Sequence, residues 1–77
     1  MPDQVTFVIY SRDNCPACDT AVALCKSKGV PFKVLKLGVD YTKEDLKKVL
    51  PTARSLPQIF MGQVPIGGLD NLKLCLS

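Results

Sequence analysis

The chain has 77 residues, 47% of them hydrophobic and 22% charged, with a net charge of +3. That is apolar material for one compact domain over residues 1–77 and too much for disorder, although a chain this short buries only roughly 60% of its unfolded surface. Its lysines are scattered and aromatics make up 6%, without the clustered, aromatic-interleaved basic surface of a nucleic-acid binder.

The apolar runs, such as Phe7-Val8-Ile9-Tyr10, fall far short of the ~20 residues that cross a bilayer. Met1-Pro2-Asp3-Gln4 has neither the basic start nor the apolar stretch of a secretory signal. The expectation is a cytoplasmic protein, monomeric by default, with no nucleic-acid or membrane partner.

Residues 5–10, Val-Thr-Phe-Val-Ile-Tyr, are β-branched and aromatic and read as a buried strand. Ser11-Arg12-Asp13-Asn14 is then a polar loop. Pro16 suits the first turn of a helix, where its missing N–H has no partner to lose. Residues 18, 21, 22 and 25 share one helix face, and Gly29 after Lys26 and Lys28 is a C-terminal stop, so a helix is predicted over about 16–28. Phe32–Leu37 reads as a second strand.

Thr42 and Asp45 form a variant capping box for a short helix with Leu46, Val49 and Leu50 on its apolar face, ended by Pro51. Pro57–Met61 is a third strand, turning at Gly62-Gln63 into Val64-Pro65-Ile66, where the proline marks an edge strand. After Gly67-Gly68, Asp70 opens a last helix carrying Leu72, Cys75 and Leu76. The order is β-α-β-α-β-β-α, an α/β domain in which helices flank a mixed four-stranded sheet with a parallel, right-handed first crossover.

Four cysteines in a chain without an export signal point away from a disulfide scaffold. Cys15-Pro16-Ala17-Cys18 lies where the first strand's loop becomes a helix. There, free N–H groups and the macrodipole favour an anion, so the Cys15 thiolate is expected to form more readily than in free cysteine. Arg12 adds positive potential, while Asp13 and Asp19 oppose it. Cys18, one turn on, is expected to be the more buried and less reactive partner.

A C-x-x-C beside a strand–helix–strand pattern reads first as a redox dithiol. Metal ligation and an inert pair are the alternatives, and with no His and no second ligand pair no metal site is expected. Cys25 and Cys75 read as buried small hydrophobes on apolar helix faces.

Three blocks then resemble the glutaredoxin family: Tyr10 to Cys18, Arg54-Ser55-Leu56-Pro57-Gln58-Ile59-Phe60, and Ile66-Gly67-Gly68-Leu69-Asp70. The similarity runs over almost the whole chain, in order, and looks most like the compact bacterial and phage-type members. It implies a thioredoxin-like fold, no tightly bound cofactor, and glutathione as co-substrate. Arg12 stands where many members carry a lysine that meets a glutathione carboxylate, a task a bidentate guanidinium fork can do. The lesser alternative is an ordinary exposed arginine.

Ser55-Leu56-Pro57 stands for the family's usual Thr-Val-Pro. The resemblance makes Pro57 cis and the Leu56 backbone a partner of the glutathione cysteine, whereas the residues alone allow a plain strand-start proline. Gly68 and Leu69 would offer backbone N–H groups to the γ-glutamyl carboxylate, and Asp70 would either hold the adjacent ammonium or cap its helix.

Two departures stand out. Ala17 replaces a frequent tyrosine and leaves the site more open. Tyr10-Ser11-Arg12 and Ser55-Leu56-Pro57 also look like glutaredoxin-like redoxins recycled by thioredoxin reductase, although these usually lack the Gly-Gly-x-Asp block kept here.

The leading expectation is a glutathione-dependent oxidoreductase that reduces protein disulfides and glutathione mixed disulfides. Cys15 is its nucleophile, Cys18 its resolving thiol, and its family-typical potential is about −200 to −230 mV. The alternatives are a thioredoxin-reductase-dependent redoxin donating electrons to ribonucleotide reductase, a carrier of an iron–sulfur cluster held by Cys15 and glutathione of two chains, and a non-catalytic module.

Overall fold

The computed structural model describes residues 5–53 and 55–76. Arg54 of the second sequence block and the N-terminal Met1-Pro2-Asp3-Gln4 lie outside the described residues. Seven elements follow in the predicted order. They are β1 (Phe7–Ser11), α1 (Pro16–Lys28), β2 (Phe32–Lys36), α2 (Lys43–Val49), β3 (Gln58–Met61), β4 (Val64–Gly67) and α3 (Leu69–Leu76). This is the thioredoxin-like βαβαββα arrangement.

The sheet order is β2-β1-β3-β4, with β1 and β2 parallel and β3 antiparallel to both β1 and β4. Alternation along β1 buries Phe7, Ile9 and Ser11 and leaves Val8 and Tyr10 half-buried on the other face. Phe7 and Ile9 join Ile59, Ala21, Cys25 and Leu72 in the core, which lies between the sheet and the pair α1 and α3. Cys25 is fully buried, as its place on the α1 stripe predicts.

The helix ends obey local chemistry. Gly29 closes α1 in the left-handed region at φ 69°, its N–H meeting the carbonyls of Cys25 and Lys26. At α2 both halves of the capping box form: the Asp45 N–H donates to Thr42 Oγ1 at 3.1 Å, and the Thr42 N–H donates to Asp45 Oδ2 at 3.0 Å.

Two expected core positions differ. Val49 is 51% exposed, because a seven-residue helix buries one narrow stripe, here Leu46 with the half-buried Leu50 one turn on, and Val49 sits off it. Cys75 is exposed and only skirts the core, its Sγ 4.0 Å from Met61 Sδ, because Leu72 and Leu76 take the inward face of α3.

The register decides what meets at each end of the sheet. Ser11 pairs with Lys36, Tyr10 with Gln58 and Ile59 with Gly67. The chain leaving β1, the chain leaving β2, the approach to β3 and the β4–α3 junction therefore share one edge. Removing core volume at Ile59 is expected to cost about 2–5 kcal/mol in Ile59→Ala. Deleting the cap in Thr42→Ala should cost about 1 kcal/mol. Urea denaturation measures both, and an Ile59→Ala loss no larger than that of Thr42→Ala would contradict the core described here.

Candidate active site

Asn14 turns the chain from strand to helix in the left-handed region, at φ 53°, a conformation Asn tolerates better than most side chains. Cys15 follows as N-cap with extended backbone, and Pro16 takes the first helical position. Its Sγ accepts the Cys18 N–H at 3.1 Å, and its carbonyl accepts the Asp19 N–H at 3.1 Å. The sulfur thus does what a capping oxygen usually does, at the positive end of the α1 dipole.

Cys15 and Cys18 are joined as a disulfide, with Cα atoms 5.2 Å apart. In this oxidised form their exposures are 4% and 2%, so burial does not separate them as the sequence reading expected. What separates them is the amide: Cys15 Sγ receives the helix N–H that Cys18 itself supplies.

The platform beneath the loop is held through Ser11. Its hydroxyl donates to the Leu35 carbonyl at 3.0 Å. Its own carbonyl accepts the Leu37 N–H and the Tyr41 hydroxyl, each at 2.8 Å. Tyr41 stands edge-on to Tyr10 with centroids 4.9 Å apart, and Tyr10 leans on Phe60 at 5.5 Å. Burial, and then the neighbouring Tyr10, push the Tyr41 phenol above its ordinary range.

In the loop itself Lys36 Nζ lies 2.6 Å from Asp13 Oδ1. The hydrogen bond and then the charge of Asp13 hold that ammonium above the usual lysine range. Arg12 donates through Nη1 to the carbonyls of Asp13 and Asn14 at 3.1 and 3.3 Å.

Arg12, Ser55 and Leu56 line one groove of about 690 Å³, with Leu37, Tyr41, Leu46 and Ala53 on its floor and walls and Lys43 and Lys47 at its side. Pro57 is buried, and the Leu56–Pro57 bond is cis, as the resemblance implied. A Cβ on Gly68 would sit 3.5 Å from the Pro57 carbonyl, so the start of α3 lies against this bend. Gly67 is required: its φ is 109°, and a side chain there would collide with Asn71.

Leu69 turns its side chain into the core, which leaves only its backbone for a ligand. The helix begins at Leu69, so Asp70 is an exposed first-turn residue and not the cap. Neither Leu69 nor Asp70 lines the groove. Among the described residues no group of three or more His, Cys, Asp or Glu is placed to hold a metal ion, and no helix is long and apolar enough to cross a membrane.

Reading the sequence did not single out Tyr41, Lys43 or Lys47. The i, i+4 spacing of the two lysines on a helix already paired them on one face. Nothing local announced that Tyr41 would bond a carbonyl 30 residues away.

A dithiol at the head of the helix that follows the first strand, with a cis-proline bend at the same sheet edge, defines a thioredoxin-like thiol–disulfide exchange protein. Comparison with known proteins is specific. The glutaredoxin family profile matches residues 7–66. Glutaredoxin 3 of Escherichia coli (strain K12) is 38% identical over 64 residues, 83% of this chain and 77% of that protein. The probable glutaredoxin ssr2061 of Synechocystis is 40% identical over 65 residues, covering 83% and 74%.

In three dimensions the solution structure of glutaredoxin from Brucella melitensis superposes with a TM-score of 0.74 at 33% identity, over 95% of this chain and 79% of that one. Reduced Escherichia coli glutaredoxin gives 0.68 at 29% identity over 92% of each. The chain belongs to the glutaredoxin family and is a thiol–disulfide oxidoreductase with a C-x-x-C dithiol.

Tyr41→Phe is expected to cost about 1 kcal/mol at neutral pH by removing the bond to the Ser11 carbonyl. Because folding raises the wild-type phenol's affinity for its proton, stability is present below the ordinary phenol range and lost as pH rises through it. The gap between wild type and Tyr41→Phe should therefore narrow in alkaline buffer. Chemical denaturation across that range checks it, and a gap that widens would refute the assignment.

Proposed function

We propose that the protein is a glutathione-dependent reductase of protein disulfides and glutathione mixed disulfides, acting in a reducing compartment such as the cytoplasm, with Cys15 as nucleophile and Cys18 as resolving thiol. The observation that carries this assignment of roles is the Cys18 N–H donating to Cys15 Sγ. An N–H aimed at one sulfur favours negative charge there, and the thiolate is the form that attacks disulfides.

Cys15 thiolate attacks one sulfur of a substrate disulfide, forming a mixed disulfide and releasing the other sulfur as thiolate, which takes a proton from water. The Cys18 thiolate then attacks Cys15 Sγ. This closes the internal disulfide and expels the second substrate thiol, so the substrate gains two electrons and two protons and the dithiol loses them. Two glutathione molecules reverse that change and leave as glutathione disulfide. A glutathionylated substrate needs only Cys15, which takes the glutathione and passes it to a second one.

For glutathione, the reading assigns Arg12 to the glycyl carboxylate, with Ser55 beside it. The extended Leu56 backbone before Pro57 pairs with the cysteinyl peptide in the manner of an added strand. The amides of Gly68 and Leu69 take the γ-glutamyl carboxylate, and Asp70 its ammonium. The proximity of Gly68 to the Pro57 carbonyl supports treating these as one surface.

Cys15→Ser is expected to abolish both activities, and Cys18→Ser to abolish protein-disulfide reduction while keeping removal of glutathione from a mixed disulfide. Coupled assays with glutathione and its reductase, run beside thioredoxin reductase, measure this. Full turnover by Cys15→Ser, or reduction by thioredoxin reductase alone, would overturn the reading.

A further inference from the structure

Asp13 stands two residues before Cys15, and its negative charge opposes a thiolate there. Two residues of chain span at most about 7 Å, inside the ~8 Å over which exposed charges feel each other at physiological salt. A bare carboxylate at this position would work against the helix terminus that favours the anion.

The carboxylate is not bare. Lys36 Nζ lies 2.6 Å from Asp13 Oδ1. The lysine comes from the end of β2, where it pairs in register with Ser11, and its backbone N–H is fixed by Asp40 Oδ2 at 2.9 Å. Arg12, although adjacent to Asp13 in sequence, gives its Nη1 to the carbonyls of Asp13 and Asn14.

The other titratable groups on the elements around the head of α1 are engaged elsewhere or lie apart from Asp13. Asp19 is in the first turn of α1, Asp40 follows β2, Lys43 and Lys47 border the groove that Arg12 lines, and Asp70 opens α3. The Tyr41 phenol donates to the Ser11 carbonyl. Among the described residues Lys36 is the one ion-pair partner of Asp13. The hydrogen bond and then the charge of Asp13 hold the Lys36 ammonium above its usual range, so it stays charged where thiols ionise.

We propose that Lys36 is a positioning residue for thiol–disulfide exchange: by neutralising Asp13 it lets the α1 terminus act on Cys15 Sγ unopposed by that carboxylate, and so keeps the sulfur an ionised nucleophile at neutral pH. The inference rests on the roles assigned above to Cys15 and Cys18. Lys36 acts through Asp13 and not on the sulfur itself.

The test alkylates the reduced full chain with iodoacetamide in acid to alkaline buffers and identifies the modified sulfur by mass spectrometry. Lys36→Gln is expected to move the Cys15 midpoint up by about 0.5 pH units, slowing alkylation roughly threefold below it, the size of one exposed ion pair. The alkaline plateau should not change. Lys36→Arg should keep the wild-type profile, and Asp13→Asn/Lys36→Gln should restore it. Removal of glutathione from a small mixed disulfide should follow the same pattern in kcat/KM.

A purely mechanical role for the pair would lower the plateau in Lys36→Gln with the midpoint in place, and the double variant, which also lacks the pair, would not recover. Either result overturns the proposal. So does an equal upward shift when Lys36→Gln is made in the Asp13→Asn chain, since the lysine would then act on the sulfur directly. Preferential alkylation of Cys18 in wild type would instead overturn the thiol roles proposed above, and this inference with them.

Discussion

One hydrogen bond organises the chemistry: the first free amide of α1 that has a sulfur within reach, Cys18 N–H, points at Cys15 Sγ. Helix N-termini leave donors without intrahelical acceptors, and side-chain oxygens ordinarily satisfy them. Here a sulfur occupies that position, so the same interaction that starts the helix also sets the electrostatics of the dithiol. Burial does not separate the two sulfurs, since in the disulfide both are almost fully buried; their places at and inside the helix end do.

That amide is useful only if the loop before it is fixed, and the fixing comes from elsewhere in the chain. Ser11 ends β1 with its carbonyl held from two directions, by a backbone N–H at Leu37 and a phenol at Tyr41. Both donors belong to the segment between β2 and α2. That segment is itself anchored by the Lys36 N–H, which donates to Asp40 Oδ2 at 2.9 Å, and by the Gly38 N–H, which donates to the Tyr41 carbonyl at 2.8 Å. The Lys36–Asp13 pair adds little stability because both groups are largely exposed. Its consequence is local, placing a positive charge against the carboxylate two residues before Cys15.

The sheet supplies the rest by direction alone. Strands β1 and β2 run parallel and β3 runs back between β1 and β4, so four chain segments reach one edge without any long connection. The small size of the domain concentrates the core into a thin layer of Phe7, Ile9, Ala21, Cys25, Ile59 and Leu72. The fully buried Cys25 thiol in that layer is pushed up in pKa by desolvation, in keeping with a packing role for that sulfur.

The order of elements, the dithiol, the capping box at Thr42 and the stop at Gly29 were legible in the amino-acid sequence, because each depends on residues within a few positions of one another. The Leu56–Pro57 bend was legible only through resemblance, since a proline before a strand carries no local sign of its isomer. The sequence by itself determined that Cys15 heads a helix and that glycines stand between β4 and α3. Only the tertiary structure decided that Cys75 lies outside the core, that Val49 faces solvent, that Leu69 points inward, and that Tyr41, Lys43 and Lys47 join Arg12, Ser55 and Leu56 around one groove. The physical reason is distance along the chain: local periodicity fixes which face of a helix is apolar, whereas what that face meets depends on strand register and on the packing of elements tens of residues apart.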